Sequence, residues 1–471
     1  MSKPGWPAWW RIIALSSTIF AVEFAYAVEA GYGTPILLKT GLQERYATLM
    51  WSVSPLLGIV FQGYLGSASD KCTCSWGRRR PFILLLGIVT VVGLAMFPYG
   101  VDIGSNSILV MYTLIVFVIM DFCLDAIQSP CRTYLLDSLS KERTKRGNLM
   151  YTIVMDVGAT LGGVFSAIPW KRFGGELGDS FETQSKIVFG VTAVLFLVSL
   201  LFTVLSVNEK ETRALREGND TQLETVISSC QCCSSIDKLK ECCSNIGEAA
   251  SFVKNMSFPF FVLWMFTFLG YFSASTFYLF FTEYVGSVIY GGVANSDDTN
   301  LRNLYDEGVL VGCACLTVCS GSSFVFSIAV DLLLDRYKIT LKALSLFTFL
   351  LHLVVIMVAL FLPNLYTAVM VSVTTGLLYT GMSCVSFTLA SDFERSGRIL
   401  RSQSKSSASK VGMTVSFLFI AIFLAQFVLG LSLGNLIQLF GTSKVIIFVL
   451  FTVQLIGSIF LVFNISNFSE S

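Results

Sequence analysis

The chain has 471 residues, of which 54% are hydrophobic and only 13% are charged, with a formal net charge of +1. Its apolar residues come in runs of about 20, the length at which an α-helix crosses the hydrocarbon core of a bilayer. This composition excludes a soluble globular protein, and the balanced charge gives no support to nucleic-acid binding.

Twelve hydrophobic spans are predicted in chain order, and each is long enough to cross a membrane as a helix. Their centres lie near Phe20, Leu56, Ile88, Phe117, Leu161, Phe196, Leu269, Ser320, Leu353, Leu378, Phe423 and Leu455. A polar segment divides them six and six. We therefore expect an all-α membrane protein with an N-terminal six-helix bundle at residues 1–207, a Cys-rich cytoplasmic linker at 208–257 and a C-terminal bundle with a short tail at 258–471.

The short loops that follow the even-numbered spans carry most of the Lys and Arg residues, among them Arg78, Arg143, Arg336 and Arg395. Such an excess of positive charge marks the cytoplasmic side of membrane proteins. The pattern predicts that both termini lie in the cytoplasm. No small-residue cleavage site accompanies the first span, so we expect it to be retained rather than removed as a signal peptide.

The first span contains two glutamates, Glu23 and Glu29, at a depth where charge is costly. Six residues separate them, so they occupy different faces of a helix. We expect Glu29 to line a cavity. Glu23 has two open roles, a place in the cavity or pairing with a basic residue in the packed interior.

The loop after the second span reads GSASDKCTCSWGRRRPF, from Gly66 to Phe82. Its glycines permit tight turns, its aspartate can cap a helix or neutralise a base, and its three arginines can anchor the loop at an anionic membrane surface. We expect a gating and topological role rather than contact with a solute. The gating residues are Gly66, Asp70, Gly77, Arg78, Arg79 and Arg80.

The fourth span, near residues 108–136, carries four side chains that lipid disfavours: Asp121, Asp125, Gln128 and Arg132. They recur after four, three and four residues, so they share one face of a helix. A charge at mid-membrane costs roughly 2.5–3.5 kcal/mol on insertion scales, and such residues usually line a solute or proton path. The alternative is a structural ion pair between helices.

Other polar groups inside the spans carry weaker signals. Asp156 in the fifth span either lines the cavity or is a capped or paired structural acid, and the nearby Gly158 and Gly162 are expected to allow close helix packing. We expect Glu283, at the outer end of the seventh span, to be a gate or interface acid. His352, the only histidine, is expected to be a packing residue.

Enzyme chemistry and cofactor binding have no support in the sequence. There is one histidine, no nucleophile–base set, no His–Cys metal spacing and no phosphate-binding glycine loop. Among the thirteen cysteines, five cluster in the linker: Cys230, Cys232, Cys233, Cys242 and Cys243. We consider them candidates for S-acylation on an interfacial helix. Reduced cytosolic thiols are the main alternative, and a zinc site is a weaker one.

Three patches of the sequence resemble the sucrose-transporter branch of the major facilitator superfamily, and in particular its animal members, solute carrier family 45. They are Gly66–Phe82 with its interrupted GRRRPF, AVEAGYGTPILL at Ala27–Leu38 and MDFCLDAIQSPCRTYLLD at Met120–Asp137. A weaker match, FTEYVGSVIYGG, lies at Phe281–Gly292. The resemblance implies the major facilitator fold, with two six-helix bundles related by pseudo-two-fold symmetry.

The resemblance also implies proton-coupled symport of sucrose or another small saccharide into the cytosol. In similar plant carriers the acid of the fourth span carries the proton, and an arginine eleven residues later partners that acid and the sugar. These positions are Asp121 and Arg132 here, with Asp125 where the plant carriers have an asparagine. Further expected substrate contacts are Glu29, Gln128 and Asp156, with Tyr26, Tyr271 and Tyr379 as aromatic platforms for the sugar.

Two other functions stay open at this point. One is a carrier of sugars or polyols that is coupled to sodium or is uncoupled. The other is a non-transporting membrane sensor or regulator that uses the linker as a partner surface. We expect a monomer in the plasma membrane, with the membrane of an acidic organelle as the alternative location.

Overall fold

The structure is a computed structural model that describes residues 8–40, 44–72, 74, 76–103, 107–139, 144–168, 181–206, 251–293, 298–337, 340–400, 411–464 and 466. Twelve long helices occupy most of this part of the chain. They are α1 Ala8–Lys39, α2 Glu44–Lys71, α3 Arg80–Met96, α4 Ser107–Asp137, α5 Thr144–Ala167, α6 Phe181–Ser206, α7 Phe258–Tyr284, α8 Thr299–Tyr337, α9 Leu341–Phe361, α10 Leu365–Arg395, α11 Val411–Phe440 and α12 Lys444–Asn464.

Helices dominate because lipid offers no partner to backbone N–H and C=O groups, so a spanning segment must satisfy them internally. All twelve predicted span centres fall within these helices, which confirms the predicted fold class. Large apolar side chains such as Leu85, Val194 and Leu205 are more than 60% exposed on their helices. Surface of this kind suits the acyl chains of a bilayer rather than water.

Eleven of the twelve helices in the described part of the chain are long and apolar enough to cross a membrane by length and composition. The remaining helix, α2, carries serines, glycines and a glutamine among its apolar residues. One of these serines, Ser54, takes part in the site described below.

The chain divides into two compact units. The first contains Met1–Ser257 and Phe393–Ile420, so it includes the end of α10 and the beginning of α11. The second contains Phe258–Asp392 and Ala421–Ser471. The predicted domain boundaries stay a prediction. The linker cysteines lie outside the described residues, since residues 207–250 are not among them.

Close packing of α1 on α5 positions the acids of the first unit. A Cβ atom on Gly158 would lie 2.3 Å from the backbone oxygen of Phe20, and one on Gly162 would lie 2.7 Å from that of Phe24. The two helices therefore meet at their backbones, as expected for these glycines. This contact brings Glu23 of α1 close enough to Asp156 of α5 for their charges to interact.

Candidate functional site

A hydrogen-bonded network joins α1, α2 and α4 inside the first unit. Tyr26 Oη donates to Asp125 Oδ1 over 2.5 Å, and Ser54 Oγ donates to Asp125 Oδ2 over 2.6 Å. Gln128 Nε2 donates in turn to Tyr26 Oη over 3.0 Å. Both carboxyl oxygens of Asp125 are therefore held, and the Tyr26 hydroxyl acts as donor and acceptor at once.

Four further carboxyl groups surround this network, and we call the five together the acid cluster. Asp121 lies one helical turn before Asp125 and is 5% exposed, and its charge interacts with those of Glu29 and Asp125. Glu23 interacts with Asp156 of α5 and with Asp125. The structure thus brings together the acids that the sequence analysis assigned to three separate spans.

Glu29 has the most secluded position in the acid cluster. Its side chain is fully buried, and neither of its carboxyl oxygens has a hydrogen-bond partner among the described residues. A Cβ atom on Gly33 would lie 3.4 Å from both Glu29 Cγ and the Trp51 ring, so the Glu29 stem packs at the meeting point of α1 and α2.

The network has an accessible edge as well as a buried side. Tyr26, Gln128 and Glu23 are half-buried, whereas Asp121 and Asp125 are buried. A hydroxyl, an amide and a carboxyl are therefore offered together at this edge. Such an arrangement can bind a hydroxyl-rich solute and relay a proton to the carboxyl groups behind it. In the described part of the chain, no group of His, Cys, Asp or Glu is arranged to hold a metal ion.

Arg132 does not pair directly with Asp121, so this part of the sequence analysis is wrong. The α4 helix is continuous from Ser107 to Asp137, and its rise places the two Cα atoms about 16 Å apart. The Arg132 guanidinium instead lies 4.4 Å from the centroid of the Tyr151 ring and 3.8 Å from Met155 Sδ, both on α5. Residues can share a helix face and still be too far apart to touch.

The predicted gating loop contains a buried ion-pair network. Arg79 is fully buried, and its guanidinium lies 2.5 Å from Asp70 Oδ1 and 3.1 Å from Asp137 Oδ2, while it also donates to Ser69 Oγ over 2.5 Å. Burial by itself lowers the pKa of Arg79, but the carboxylates of Asp137 and Asp70 outweigh it and raise the pKa above its ordinary range. Arg79 is therefore a permanent cation at this position.

Asp70 connects this network to the first turn of α11. Its Oδ1 accepts from the backbone N–H of Gly412 over 3.0 Å, and its Oδ2 accepts from that of Met413 over 2.9 Å. The first N–H groups of a helix lack partners within the helix, so a carboxylate placed there satisfies them and favours the helix dipole. Gly66 packs nearby, where a Cβ atom would lie 2.5 Å from Ser416 Oγ.

The expected membrane anchoring by the three arginines is wrong for at least two of them. Arg79 is fully buried, and Arg80 is 7% exposed with its Nε donating to Tyr134 Oη over 3.2 Å. Arg78 is more accessible and pairs with Asp137 at 3.0 Å. These side chains bind protein groups because the loop is folded inward. Gly77 provides the turn, with a φ of +130° that L side chains rarely adopt.

Three tyrosines form an aromatic cluster in the second unit. The rings of Tyr271 and Tyr379 meet edge to face with centroids 5.8 Å apart, and those of Tyr278 and Tyr379 do so at 6.2 Å. Tyr271 is buried, whereas Tyr278 and Tyr379 are half-buried. Two of the aromatic platforms predicted from the sequence therefore touch each other on α7 and α10.

Glu283 and His352 have structural partners within the second unit. Glu283 accepts hydrogen bonds from Tyr305 Oη and from Ser443 Oγ, which ties the end of α7 to α8 and to the start of α12. The His352 ring is fully buried, and its Nδ1 lies 2.9 Å from Thr374 Oγ1. The observed contacts of both residues agree with the interface and packing roles expected from the sequence.

Ser54 belongs to the hydrogen-bonded network but was not predicted from the sequence. A serine inside a hydrophobic span has little desolvation cost and so gives a weak signal. One feature of the sequence could have pointed to Ser54. It lies in α2, the least apolar of the spans, and polar side chains inside a membrane need partners in the protein interior.

Comparison with known proteins gives the following relationships. Residues 12–400 match the model of the Major Facilitator Superfamily. The Membrane-associated transporter protein of Homo sapiens is 29% identical over 96% of this chain and 92% of its own length. The Proton-associated sugar transporter A of Rattus norvegicus is 34% identical, over 45% of this chain and 29% of its own. Solute carrier family 45 member 4 of Mus musculus is 38% identical over 41% of this chain and 26% of its own length. These relatives confirm the resemblance stated from the three sequence patches.

Two solved structures share the overall architecture. The proton:xylose symporter XylE bound to 6-bromo-6-deoxy-D-glucose aligns with a TM-score of 0.64 at 12% identity, over 98% of this chain and 96% of that one. The human organic anion transporter MFSD10 aligns with a TM-score of 0.60 at 13% identity, over 97% of this chain and 100% of that one. At these identities the two structures show the shared fold alone.

Proposed function

The chain belongs to the Major Facilitator Superfamily, and we propose that it symports protons with sucrose or another small saccharide by alternating access. The chain is a multi-pass membrane protein whose relatives are transporters, so a carrier rather than an enzyme is the starting point. The observation that carries the finer proposal is Asp125, a buried carboxyl linked through the Tyr26 hydroxyl to an accessible polar edge.

Asp121 is our choice for the main proton site, with Asp125 as its immediate partner. Neighbouring carboxylates in a poorly solvated site repel each other, so taking up a proton relieves both the repulsion and the desolvation. Asp125 keeps hydrogen bonds from Tyr26 and Ser54, which favour its ionised form. Proton uptake at Asp121 then lowers the negative charge of the acid cluster, which permits the loaded carrier to change conformation.

The saccharide is proposed to bind at the polar edge formed by Tyr26 and Gln128, with Asp156 as a further contact. A sugar has a rim of hydroxyls and apolar C–H faces, so it suits hydrogen-bonding groups combined with aromatic rings. Tyr271 and Tyr379 of the second unit are the proposed aromatic contacts. Arg132 is proposed to shape the site through Tyr151 and α5, since it does not reach Asp121.

Uptake of labelled saccharides into proteoliposomes tests the proposal. A counterflow panel of mono- and disaccharides at two pH values identifies the solute, and an imposed proton gradient then drives its accumulation. We expect Asp121→Asn to reduce accumulation while counterflow continues, because exchange does not require release of the proton. Glu307→Gln, which alters an exposed carboxyl on α8, serves as the control. Unchanged accumulation in Asp121→Asn, or accumulation that needs sodium instead of protons, would contradict the proposal.

The location and topology are also proposed. The Lys and Arg residues of the even-numbered loops support cytoplasmic termini, and we propose the plasma membrane as the location. We propose that the carrier works as a monomer and that the linker cysteines are S-acylated. Labelling of an engineered cysteine in each loop of intact cells would test the orientation, and acyl exchange on the purified chain would test the modification.

A further inference from the structure

Glu29 lies where none of the described residues stabilises an ionised carboxylate. Its two oxygens are fully buried and accept no hydrogen bond from any described residue. On the side of α2 it meets the Trp51 ring, which lies edge-on to Phe117 with centroids 5.4 Å apart. These rings carry no charge, and no donor from them reaches the Glu29 carboxyl oxygens.

The charged groups that act on Glu29 have the same sign as its carboxylate. Asp121 and Asp125 of α4 interact with it electrostatically, and on its own helix Tyr26 is engaged by Asp125. Arg132, the basic residue of α4, lies against α5 instead. A carboxylate without a donor or a cation, next to two other acids, is strongly disfavoured in a low-dielectric interior, whereas a neutral carboxylic acid is tolerated there.

We propose that Glu29 is a second proton-carrying residue of the transport cycle, separate from Asp121. It holds its proton on a carboxyl oxygen in this structure. When alternating access opens its surroundings to water on the other side, the O–H bond breaks, the proton passes to water and the carboxylate is left hydrated. On return, the carboxylate regains a proton from water before it is buried again. This inference rests on the proposed proton symport, and it adds that two protons move with each saccharide.

The two-proton cycle explains why the chain retains Glu29 beside Asp121. A single carboxyl would be enough to couple one proton. Glu29 has no bond to any described partner that its charge would maintain, so its ionisable group has no structural task of that kind in this structure. A glutamine of the same shape would then be expected to preserve the packing against Gly33 and Trp51 while removing the proton.

The proton-to-saccharide ratio in proteoliposomes tests the inference. The probe is the labelled saccharide that the wild-type protein carries best in the counterflow panel, and the ratio comes from the membrane potential at which net flux vanishes. We expect two protons per saccharide for the wild type and one for Glu29→Gln, with counterflow retained. Glu29→Asp should restore the wild-type ratio. Glu307→Gln, which removes an exposed carboxyl on α8, is the control and should still move two protons with each saccharide.

Infrared difference spectroscopy tests the carboxyl directly and needs no saccharide. A protonated carboxyl without a hydrogen bond gives a C=O stretch at unusually high frequency, and we expect Glu29→Gln to lose this band. A ratio of two in Glu29→Gln, or the absence of that band in the wild type, would overturn the inference and leave the proposed symport standing. Saccharide movement without any protons in the wild type would overturn both.

Discussion

Tyr26 Oη and Asp125 Oδ1 lie 2.5 Å apart, and their hydrogen bond joins α1 to α4. The two residues are 99 positions apart in the chain. The sequence alone predicts different tasks for these residues: Tyr26 is expected to be a platform for the sugar and Asp125 a proton-coupling group. Their hydrogen bond couples the two side chains directly. A solute that displaces Gln128 from the Tyr26 hydroxyl would therefore be sensed directly by the carboxyl of Asp125.

Removing the Tyr26 hydroxyl is predicted to impair coupled uptake. Tyr26→Phe leaves Ser54 as the remaining donor to Asp125 in the described part of the chain, and it removes the partner of Gln128. A hydrogen bond to a charged group contributes about 1.5–3 kcal/mol, which corresponds to a fall of about 10- to 150-fold in the rate of uptake. Initial rates of proton-driven uptake in proteoliposomes measure the effect.

Tyr112→Phe is the matched control for that experiment. Tyr112 Oη donates to the backbone oxygen of Met96 over 3.1 Å at an exposed position, away from the acid cluster. Its loss should change the rate by less than about twofold, since an exposed group is readily satisfied by water. Equal effects of the two substitutions would show that the Tyr26–Asp125 contact has no special part in uptake.

The arginines of the predicted gating loop are expected to differ sharply in their contribution to stability. Arg79→Ala leaves the carboxylates of Asp70 and Asp137 without their buried cation, which is expected to lower the free energy of unfolding by about 3–5 kcal/mol. Arg78→Ala removes a more accessible ion pair and should cost about 1 kcal/mol or less. Thermal unfolding of the purified variants in detergent gives the comparison, and similar losses for both would refute the burial argument.

The difference in the free energy of unfolding between the wild type and Arg79→Ala is predicted to be constant across neutral and mildly alkaline pH. The folded protein raises the pKa of Arg79, so the stabilisation that follows is fully present below the pKa of the unfolded chain. It is lost only as the pH rises through the still higher pKa of the folded state. Unfolding curves at several pH values check this, and a difference that shrinks steadily between neutral and mildly alkaline pH would contradict it.

The sequence predicted the helices well but predicted the contacts of the site only in part. Span positions followed from apolar runs of bilayer length, because lipid leaves the backbone little choice of structure. The acids of α1 and α4 were also found, since charges within such runs stand out. The partners of these acids were harder to predict. Ser54 is uncharged, so it does not stand out in a hydrophobic span. The periodicity of α4 placed Arg132 on the correct face of the helix but did not indicate which neighbouring helix it contacts.

The glycines of α5 are predicted to be intolerant of a single added methyl group. In Gly158→Ala the new Cβ atom would lie 2.3 Å from the Phe20 carbonyl oxygen, and backbone cannot move aside as a side chain can. Overpacking of this kind costs about 1–3 kcal/mol or more. Gly190→Ala on α6 meets nothing within 4 Å and should be neutral or stabilising by up to about 1 kcal/mol. Melting temperatures in detergent measure both, and an unaffected Gly158→Ala would argue against direct helix contact.

The aromatic cluster of the second unit is predicted to affect saccharide affinity more than turnover. Tyr379→Ala removes the ring that both Tyr271 and Tyr278 contact, and an aromatic contact is worth about 0.5–1.5 kcal/mol. We expect KM to rise about 2- to 12-fold, with little change for Tyr379→Phe, which keeps the ring. Tyr366→Ala, at an 83% exposed position on the same helix, is the control. An unchanged KM in Tyr379→Ala would exclude this ring as a sugar platform.

The contact of Asp70 with the first turn of α11 has a consequence for how the protein is made. Met413 is synthesised 343 residues after Asp70, and ribosomes add roughly 5–20 residues per second. For some tens of seconds the loop after α2 therefore exists without the backbone amides that its aspartate will bind. The nascent N-terminal helices must wait in the membrane in an unfinished state, and insertion chaperones that shield polar groups would have their longest task at this loop.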